Sequence, residues 1–266
     1  MAVVLVTGAS SGIGLATARR LLADGDEVFA ASRRPCPVDG VRSIPCDVSV
    51  PEDAASAVAR VLDASGRIDA LVSNAGTGTL QAIEDVSDAE VQSIFETNVF
   101  GPLRLARAAL PAMRAQGRGR IVHVTSMNDV LPAPFGGHYS ASKAALASAS
   151  AVLDAEVRPF GVTVTVVAPG FFRTPMAEST STFDVDSTSL YADALRNLKA
   201  QAGPRLETAG DPDDVARSIA DCVHADDPPA RVIVGEDAQR YLALLRSVDA
   251  EQLATMLRDT VASLRG

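Results

Sequence analysis

The sequence predicts an α/β fold in which a parallel sheet carries helices on both faces, the doubly wound architecture. Two patterns along the 266 residues indicate it. Short apolar runs alternate with longer segments of helical periodicity, which is typical of strand–helix–strand units. The first run, 2–7, is continuously apolar or β-branched, as in strands that are buried on both faces of a sheet. No linker-like change of composition interrupts the alternation, so we expect a single domain spanning 1–266.

Composition and charge limit the classes of partner. The formal net charge is -9, which argues against nucleic acid and against an anionic membrane surface. No apolar run approaches the ~18 residues of a membrane span, and the first residues lack the basic stretch of a signal peptide. The cysteines Cys36, Cys46 and Cys222 lie far apart without metal-ligand spacing. We therefore expect a cytoplasmic protein without membrane contacts, disulfides or a metal site.

A glycine-rich turn follows the first strand and precedes an amphipathic helical pattern that extends to about Asp24. In this position backbone N–H groups and the helix N-terminus can meet a phosphate. The alternative is a cluster that only makes a tight turn, and the strand before it and the helix after it argue against that. The candidate phosphate-binding residues are Gly8, Ser10, Ser11, Gly12, Ile13 and Gly14.

The second strand, 27–32, ends with Ser32 and is followed by Arg33 and Arg34. In dinucleotide-binding units an acidic residue at this strand end binds the ribose hydroxyls, whereas a nearby arginine accommodates a 2′-phosphate. The two guanidinium groups and the missing carboxylate favour NADP over NAD. The alternative is that both arginines are ordinary loop charges.

The next two strands end in segments that suit a flat ligand. The third strand, 41–46, ends at Asp47-Val48, and Pro51 opens the helix that follows. The fourth strand, 68–73, closes at Asn74-Ala75-Gly76, whose small residues let the backbone come close to a ligand.

A long helical pattern from Val91 to Leu110 is interrupted at Asn98 and at Gly101-Pro102. Pro102 has no N–H group and cannot donate to the carbonyl of Asn98, four residues earlier. We expect a kink and a free acceptor inside the helix, which is costly unless water or a partner binds there.

A tyrosine and a lysine four residues apart form a candidate acid–base centre. The fifth strand, 119–125, leads to Ser126 and contains His123, which we interpret as a core histidine. Tyr139 and Lys143 lie on the next predicted helix, where this spacing places them on one face. An adjacent ammonium lowers the pKa of a phenol from ~10, so that it can exchange a proton with a substrate oxygen. The alternative is an ordinary helix surface.

The last third of the chain completes the sheet and covers it. The sixth strand, 162–168, ends at Pro169-Gly170, and the seventh is expected at 231–234. Between them, 171–203 is rich in Thr, Ser and Asp, and we expect a lid over the site there. Helical patterns in the tail, 236–266, are expected to cover an edge of the sheet.

Seven motifs, in the same order, resemble those of the compact single-domain branch of the short-chain dehydrogenases/reductases. They are Thr7-Gly8-x-x-x-Gly12-x-Gly14, Asp47-Val48, Asn74-Ala75-Gly76, Asn98, Ser126, Tyr139-x-x-x-Lys143 and Pro169-Gly170. The resemblance extends from residue 3 to about 175. It implies a Rossmann fold with a seven-stranded parallel sheet, and an enzyme that moves a hydride between a nicotinamide and a substrate carbon.

The resemblance also implies a role for each motif residue. Tyr139 is expected to be the general acid/base, with Lys143 lowering its pKa and binding the nicotinamide ribose, and with Ser126 orienting the substrate oxygen. The main-chain carbonyl of Asn98 is expected to hold a water of the proton relay. The cofactor-binding residues beyond the glycine-rich turn are expected to be Ser32, Arg33, Arg34, Asp47, Val48, Asn74, Ala75, Gly76, Tyr139, Lys143, Pro169, Gly170 and Thr174.

Two features depart from the usual family pattern. Ser73 replaces the first residue of the common Asn-Asn-Ala-Gly motif, and the tail, 236–266, continues where compact tetrameric members stop. The tail, the Phe171-Phe172 pair and the two arginines are similar to those of hydroxysteroid and retinol reductases. In tetrameric members the seventh strand and the helix before it form an interface, which a helical tail would block. We therefore expect a homodimer or a monomer.

The leading hypothesis is an NADP-dependent oxidoreductase that interconverts a ketone or aldehyde and an alcohol, in the reductive direction. One alternative is an epimerase or dehydratase on the same fold, which usually has a longer substrate domain. Another is a non-catalytic dinucleotide-binding protein, which has no need of the Tyr139–Lys143 pair. Apolar residues favour an apolar small-molecule substrate, cyclic or polyketide-like, unless they serve only in packing; they are Phe171, Phe172, Met176, Leu131 and Phe135.

Overall fold

The computed structural model describes residues 1–265, in which seven strands form one sheet. The strands are β1 (Val3–Thr7), β2 (Glu27–Ser32), β3 (Arg42–Pro45), β4 (Ala70–Ser73), β5 (Gly119–Val124), β6 (Val162–Pro169) and β7 (Arg231–Val234). Their spatial order is β3-β2-β1-β4-β5-β6-β7, and all neighbouring pairs are parallel. The predicted seven-stranded parallel sheet is confirmed. The winding reverses between β1 and β4, and ligands bind beyond the carboxyl ends of the strands at such a reversal.

Helices connect the strands and cover both faces of the sheet. They are α1 (Gly12–Ala23), α2 (Pro51–Ser65), α3 (Asp88–Phe95), α4 (Gly101–Gln116), α5 (Gly137–Val157), α6 (Pro175–Ser179), α7 (Ala192–Glu207), α8 (Pro212–His224), α9 (Glu236–Leu245) and α10 (Ala250–Arg265). Short 3₁₀ turns lie at Ile83–Asp85, Met127–Asp129 and Arg158–Phe160, and a π turn lies at Glu96–Phe100.

Two aliphatic cores lie on opposite faces of the sheet, because alternate residues of a strand point to opposite sides. On one face Leu5 and Leu71 belong to a cluster completed by α2 and α4. On the other face Val4 and Val72 belong to a cluster completed by α1 and α8. Every residue of β1 and of β6 is buried, which explains why β1 is apolar from Val3 to Val6 without alternation.

The predicted interruption of the long helix is a π turn. The N–H of Gly101 donates to the carbonyl of Glu96, five residues back, and Pro102 then opens α4. A wider turn accommodates the proline, which has no N–H group for the α-helical pattern. Asn98 lies within this turn and is 0% exposed, so the irregularity directs a polar residue into the interior.

The segment predicted as a lid, 171–203, is more regular than its composition indicates. It contains α6 and most of α7, which continues to Glu207. The buried residues of α7, among them Ala194 and Leu195, form a third cluster with Leu264 of α10. The expectation that both tail helices cover the sheet edge is wrong for α10, because α9 lies against β7 whereas α10 packs on α7. The tail therefore supports the lid.

Among residues 1–265, no helix is long and apolar enough to cross a membrane. The same range contains no group of three or more His, Cys, Asp or Glu side chains that could hold a metal ion. The three cysteines are free and buried. Burial raises the pKa of Cys46 and of Cys222 to about 11, so both are thiols at neutral pH.

Candidate active site

The predicted site residues meet at one edge of the sheet. Because the strands are parallel and adjacent, the segments that follow β1, β4, β5 and β6 lie side by side beyond their carboxyl ends. These segments are the glycine-rich turn, Asn74-Ala75-Gly76, Ser126 and Gly170. The first turns of α5 bring Tyr139 to the same edge, where a Cβ on Gly78 would lie 2.8 Å from its ring.

The turns after β1 and β4 are held together by hydrogen bonds. Thr7 Oγ1 accepts from the backbone N–H groups of Asn74 (3.0 Å) and Ala75 (3.1 Å), and Asn74 Nδ2 donates to the carbonyl of Thr7 at 3.0 Å. Gly14 has no room for a side chain, because a Cβ there would lie 2.4 Å from Asn74 Nδ2 and 2.5 Å from the carbonyl oxygen of Gly8. Glycine at this position therefore lets β1, α1 and β4 converge.

The glycine-rich turn fits a pyrophosphate. Gly8 and Gly12 have φ angles of 68° and 55°, which favour glycine. Within the described chain, Ser11 caps α1 without a side-chain bond, and the first turn of α1 has no acidic residue. The N-terminal amides of α1 thus face no competing carboxylate of their own helix, and the helix dipole favours an anion there. Ser10 and Ile13 are partly exposed in the same turn.

Two exposed arginines follow the end of β2. Ser32 is buried and its hydroxyl donates to the carbonyl of Arg34, whereas Arg33 and Arg34 are exposed. Hydrogen bonds from Ser49, opposed by burial and helped by the charge of Arg33, lower the pKa of Asp47. The guanidinium groups, rather than Ser32, therefore offer the donors that a phosphate needs.

Val48 is predicted to bind the cofactor, and its side chain lies in the core. The residue is 5% exposed and belongs to the core cluster that contains Leu105 and Ala106 of α4. A Cβ on Gly101 would lie 2.7 Å from the Val48 carbonyl oxygen. The side chain serves the core, because the strand end must also seal the sheet against α4.

Thr174 brings the loop after β6 to the glycine-rich turn. Its side chain lies 3.3 Å from the position that a Cβ of Gly12 would take. Thr174 Oγ1 also accepts a hydrogen bond from the N–H of Ala177 at 3.1 Å and caps α6. At the start of this loop, the N–H of Gly170 donates to the carbonyl of Val234. The loop is therefore anchored at both ends, beside the turn that fits a pyrophosphate.

Ser126, Tyr139 and Lys143 lie around the amino-terminal end of α5. Ser126 Oγ accepts a hydrogen bond from the N–H of Asn128 at 3.2 Å. The ammonium of Lys143, a residue 3% exposed, donates to the carbonyl of Val124 at 3.0 Å. It lies 5.7 Å from the centre of the Tyr139 ring. A buried cation, a phenol and a hydroxyl are thus brought together.

Burial governs the proton affinities of this group. It raises the pKa of Tyr139 to about 12, against the lowering effect of a hydrogen bond with Ser126, and the charge of Asp129 raises it further. Burial also lowers the pKa of Lys143 to about 8. The structure differs here from the expectation of a lowered tyrosine pKa, because the ammonium bonds to the main chain and desolvation disfavours the phenolate. Tyr139 is therefore protonated at neutral pH.

Asn98 ties the loop after β4 to α5. Its Oδ1 accepts from the N–H of Thr77 at 2.9 Å, and its Nδ2 donates to the carbonyl of Thr77 at 2.7 Å and to Ser142 Oγ at 2.9 Å. A Cβ on Gly76 would lie 3.3 Å from Lys143 Nζ and 3.4 Å from Asn98 Oδ1. These bonds occupy the side chain, and the relay role that the resemblance implies for the main-chain carbonyl of Asn98 stays a prediction.

The apolar residues that favoured an apolar substrate are only in part near the surface. Phe172 is 5% exposed and packs at Gly210, where a Cβ would lie 2.5 Å from its ring. Phe135 is 8% exposed and packs edge-on against Tyr191, with ring centres 6.1 Å apart. Met176 is 42% exposed. Phe172 and Phe135 thus follow the packing alternative, because Phe172 belongs to the core cluster completed by α8 and Phe135 to the cluster around α7.

Hydroxyl–carboxylate bonds hold the lid over the loop after β4. Ser189 Oγ donates to Asp85 at 2.6 Å, and the Tyr191 hydroxyl donates to Glu84 at 2.6 Å. Both carboxylates belong to the 3₁₀ turn Ile83–Asp85. These bonds join the segment 171–203 to the loop after β4.

Three residues near the site had not been predicted from the sequence. Gly78 lies against Tyr139, Asp237 accepts a hydrogen bond from the N–H of Phe171 at 2.8 Å, and Asp129 lies buried after the Ser126 turn. The one signal for Asp129 is a carboxylate in an otherwise uncharged stretch. Gly78 and Asp237 are separated from their partners along the chain, so only the fold reveals them.

His123 is a fully buried histidine, 0% exposed. Its Nδ1 lies 2.8 Å from Ser150 Oγ, which agrees with its interpretation as a core residue. Burial, and then the charge of Lys143, lowers its pKa to about 4. The ring is therefore neutral in the folded protein at neutral pH.

Stability is expected to fall in mild acid because of His123. The unfolded chain binds a proton at the ordinary value of 6.5 and the folded protein only at about 4, so acid favours the unfolded state over this window. Wild type should therefore lose roughly 2–3 kcal/mol of unfolding free energy between about pH 7 and pH 4 that His123→Leu does not lose. Urea unfolding at both pH values measures the difference. Parallel stability–pH curves for the two proteins would contradict the prediction.

Comparisons with known proteins agree with this geometry. Residues 2–184 match a family model described as short chain dehydrogenase. A 3-ketodihydrosphingosine reductase from Bacteroides thetaiotaomicron is 36% identical over 249 residues, 92% of either chain. A short-chain dehydrogenase from Streptomyces avermitilis has a similar structure, with a TM-score of 0.79 and 34% identity over 100% of this chain and 97% of that one. A metagenomic short-chain oxidoreductase in complex with NADP gives a TM-score of 0.68 and 30% identity over 88% and 96% of the two chains.

The match covers the glycine-rich turn, the Ser126–Tyr139–Lys143 group and the loop after β6. Members of the matched family bind a nicotinamide dinucleotide, which the turn after β1 fits, and act on small molecules. On these grounds the chain belongs to the short-chain dehydrogenase/reductase family and is an oxidoreductase acting on CH–OH or carbonyl groups.

Proposed function

We propose that the protein is an NADP-dependent reductase that converts a ketone or aldehyde to the alcohol, with Tyr139 as the proton donor. The observation that carries the proposal is the group formed by Tyr139, Ser126 and Lys143 at the carboxyl edge of the sheet, where the glycine-rich turn after β1 also lies. A non-catalytic binding protein has no need of a buried ammonium beside a phenol.

The nicotinamide would supply the hydride, and the chain's residues handle the oxygen and its proton. Tyr139 donates its phenolic proton to the carbonyl oxygen as the alcohol forms, while the Ser126 hydroxyl holds the same oxygen. Lys143 places a positive charge 5.7 Å from the centre of the ring, which stabilises the phenolate left behind. A pKa of about 12 keeps Tyr139 protonated at neutral pH, which is the form that a proton donor needs.

NADP is proposed as the cofactor because of the charge at the end of β2. Arg33 and Arg34 are exposed there, and no carboxylate occupies the strand end at Ser32. Asp47 faces Arg33 but is bonded to Ser49 Oγ at 2.7 Å. The binding of NADP by the metagenomic relative supports the assignment.

A ketone with apolar substituents is the proposed substrate class. Met176 of α6 is 42% exposed, so its apolar side chain remains available to such a substrate. The relative from Bacteroides thetaiotaomicron is named as a reductase of a keto compound. We also propose a homodimer or a monomer, because α9 lies against β7 at the edge of the sheet.

The cofactor preference is tested with the double substitution Arg33→Ala, Arg34→Ala. Loss of the charge-assisted hydrogen bonds to the 2′-phosphate should weaken NADPH binding by about a hundredfold and leave NADH binding within about threefold. Equilibrium fluorescence titration at fixed ionic strength measures both. Arg60→Ala, an exposed arginine on α2, is the matched control. Tighter binding of NADH than of NADPH by the wild type would overturn the assignment, and binding of neither would overturn the cofactor class.

A further inference from the structure

A buried ion pair lies behind the catalytic group and has no part in the chemistry described so far. Asp129 ends the 3₁₀ turn after Ser126, and its side chain is 0% exposed. One carboxylate oxygen pairs with the guanidinium of Arg231, whose side chain is 32% exposed. The other oxygen is buried and has no hydrogen-bond partner among the described residues. A buried charge of this kind is costly, so its presence next to the site needs a reason.

The pair joins the Ser126 turn to a distant strand. Arg231 is the first residue of β7, and it is in register with Val166 of β6, which is in register with His123 of β5. The guanidinium therefore reaches from β7, past β6, to the turn that follows β5. This is the one salt bridge among the described residues that involves the Ser126 turn.

Within the turn, the backbone transmits this anchor to the catalytic hydroxyl. The N–H of Asp129 donates to the carbonyl of Ser126 at 3.0 Å. The N–H of Asn128 donates to Ser126 Oγ at 3.2 Å. A shift of Asp129 would therefore move both hydrogen bonds that orient Ser126.

The charge of Asp129 also acts on the acid–base group. It is the carboxylate whose charge affects both Tyr139 and Lys143, raising the pKa of each. Without Arg231 this carboxylate would be buried and uncompensated near the phenol. The guanidinium thus balances a negative charge at the point where a phenolate must form.

We propose that the Asp129–Arg231 ion pair is a positioning element of the active site, which anchors the Ser126 turn to β7 and thereby holds the Ser126 hydroxyl in place beside Tyr139. The kinetic part of the proposal rests on the proposed function, whereas the anchoring of the turn does not. Both residues act through Ser126 and are positioning residues. The opposing possibility is a pair that only contributes to stability.

Three variants separate the two possibilities: Arg231→Met, Asp129→Asn and the double variant. Arg231→Met leaves a buried carboxylate unpaired and should be the least stable, whereas the double variant removes both charges and should regain most of the stability. The anchor is absent in the double variant. Hydrogen exchange of the amides in 126–130 should therefore remain at least about tenfold faster than in wild type.

Across the variants, kcat should correlate with the presence of the ion pair and not with the free energy of unfolding. In the double variant kcat for a ketone substrate should stay roughly tenfold or more below wild type, with KM changed less than kcat, because misplacement of a catalytic group is costly. Arg231→Lys keeps a cation and should recover part of both the protection and kcat. The control Asp214→Asn, Arg217→Met removes an exposed pair on α8 and should leave exchange in 126–130 and kcat unchanged.

A double variant that regains wild-type exchange in 126–130 together with its stability would overturn the proposal. Exchange is measured on the protein without substrate, so this decision does not depend on the reaction. If wild type reduces no ketone or aldehyde with either nucleotide, the proposed function fails and the exchange result still decides the anchoring role. If turnover is present and the double variant has wild-type kcat despite faster exchange, the anchoring of the turn stands and the positioning role for Ser126 is overturned.

Discussion

Replacing Tyr139 by phenylalanine is expected to lower the turnover number by about a thousandfold, within the range contributed by general acid catalysis. The substitution removes one hydroxyl and keeps the ring against Gly78 and Lys143. The carbonyl oxygen then develops negative charge without a proton donor, and only the Ser126 hydroxyl and solvent remain to support it. Binding of NADPH should stay within about twofold, because the ring and the lysine are retained.

Steady-state reduction of ketones, followed by NADPH absorbance, measures the turnover, and fluorescence titration measures the binding. Tyr241→Phe is the matched control, because this tyrosine on α9 is 40% exposed and lies outside the proposed site. It should retain wild-type turnover. A Tyr139→Phe variant that turns over like wild type would exclude the phenol as proton donor.

Replacing Gly14 by alanine is expected to abolish dinucleotide binding and to destabilise the fold. The added Cβ would lie 2.4 Å from Asn74 Nδ2, 2.5 Å from the carbonyl oxygen of Gly8 and 2.8 Å from its carbonyl carbon. The carbonyl oxygen and carbon of Gly8 are backbone atoms, so the clash can be relieved only if α1 moves away from β1 and β4. Overpacking of this kind costs about 1–3 kcal/mol and displaces the amides that would bind a phosphate.

Nucleotide titration and chemical unfolding measure the two parts of this prediction. Gly203→Ala is the matched control, because a Cβ there meets no atom within 4 Å and the residue lies inside α7. Pro204 follows this residue and disfavours the helical conformation of a preceding residue that carries a Cβ, so we expect no gain in stability from alanine there. The variant should bind NADPH normally. Wild-type affinity in Gly14→Ala would show that the turn after β1 does not bind the pyrophosphate.

The sheet was predictable because its inner strands are buried on both faces. β2 and β7 match the predicted ranges, and β1, β3 and β5 differ by one residue at one or both ends. A continuous apolar run is required wherever helices cover both sides, so local sequence and burial agree. The interruption of the long helix was also predictable, because Pro102 has no N–H group for the regular α-helical hydrogen bond whatever surrounds it.

The lid and the tail were less predictable because their helices are stabilised from one side only. α7 is buried at few positions, including Ala194 and Leu195, and the cluster that buries them includes Phe135 and, from α10, Leu264. Packing partners that are distant in the chain cannot be identified from the sequence of either helix. Phe172 and Phe135 likewise suggest a substrate pocket in the sequence. In the fold both are buried by residues that are distant in the chain.

The sequence by itself determined the fold class, the family resemblance and the set of residue types available for chemistry. These depend on patterns that each segment carries alone: an apolar run, a glycine-rich turn, or a tyrosine and lysine on one helix face. Only the tertiary structure decided the proton affinities of Tyr139 and Lys143 and the pairing of Asp129 with Arg231. Desolvation and charge compensation arise from groups that are distant in the chain and close in space, so no local pattern encodes them.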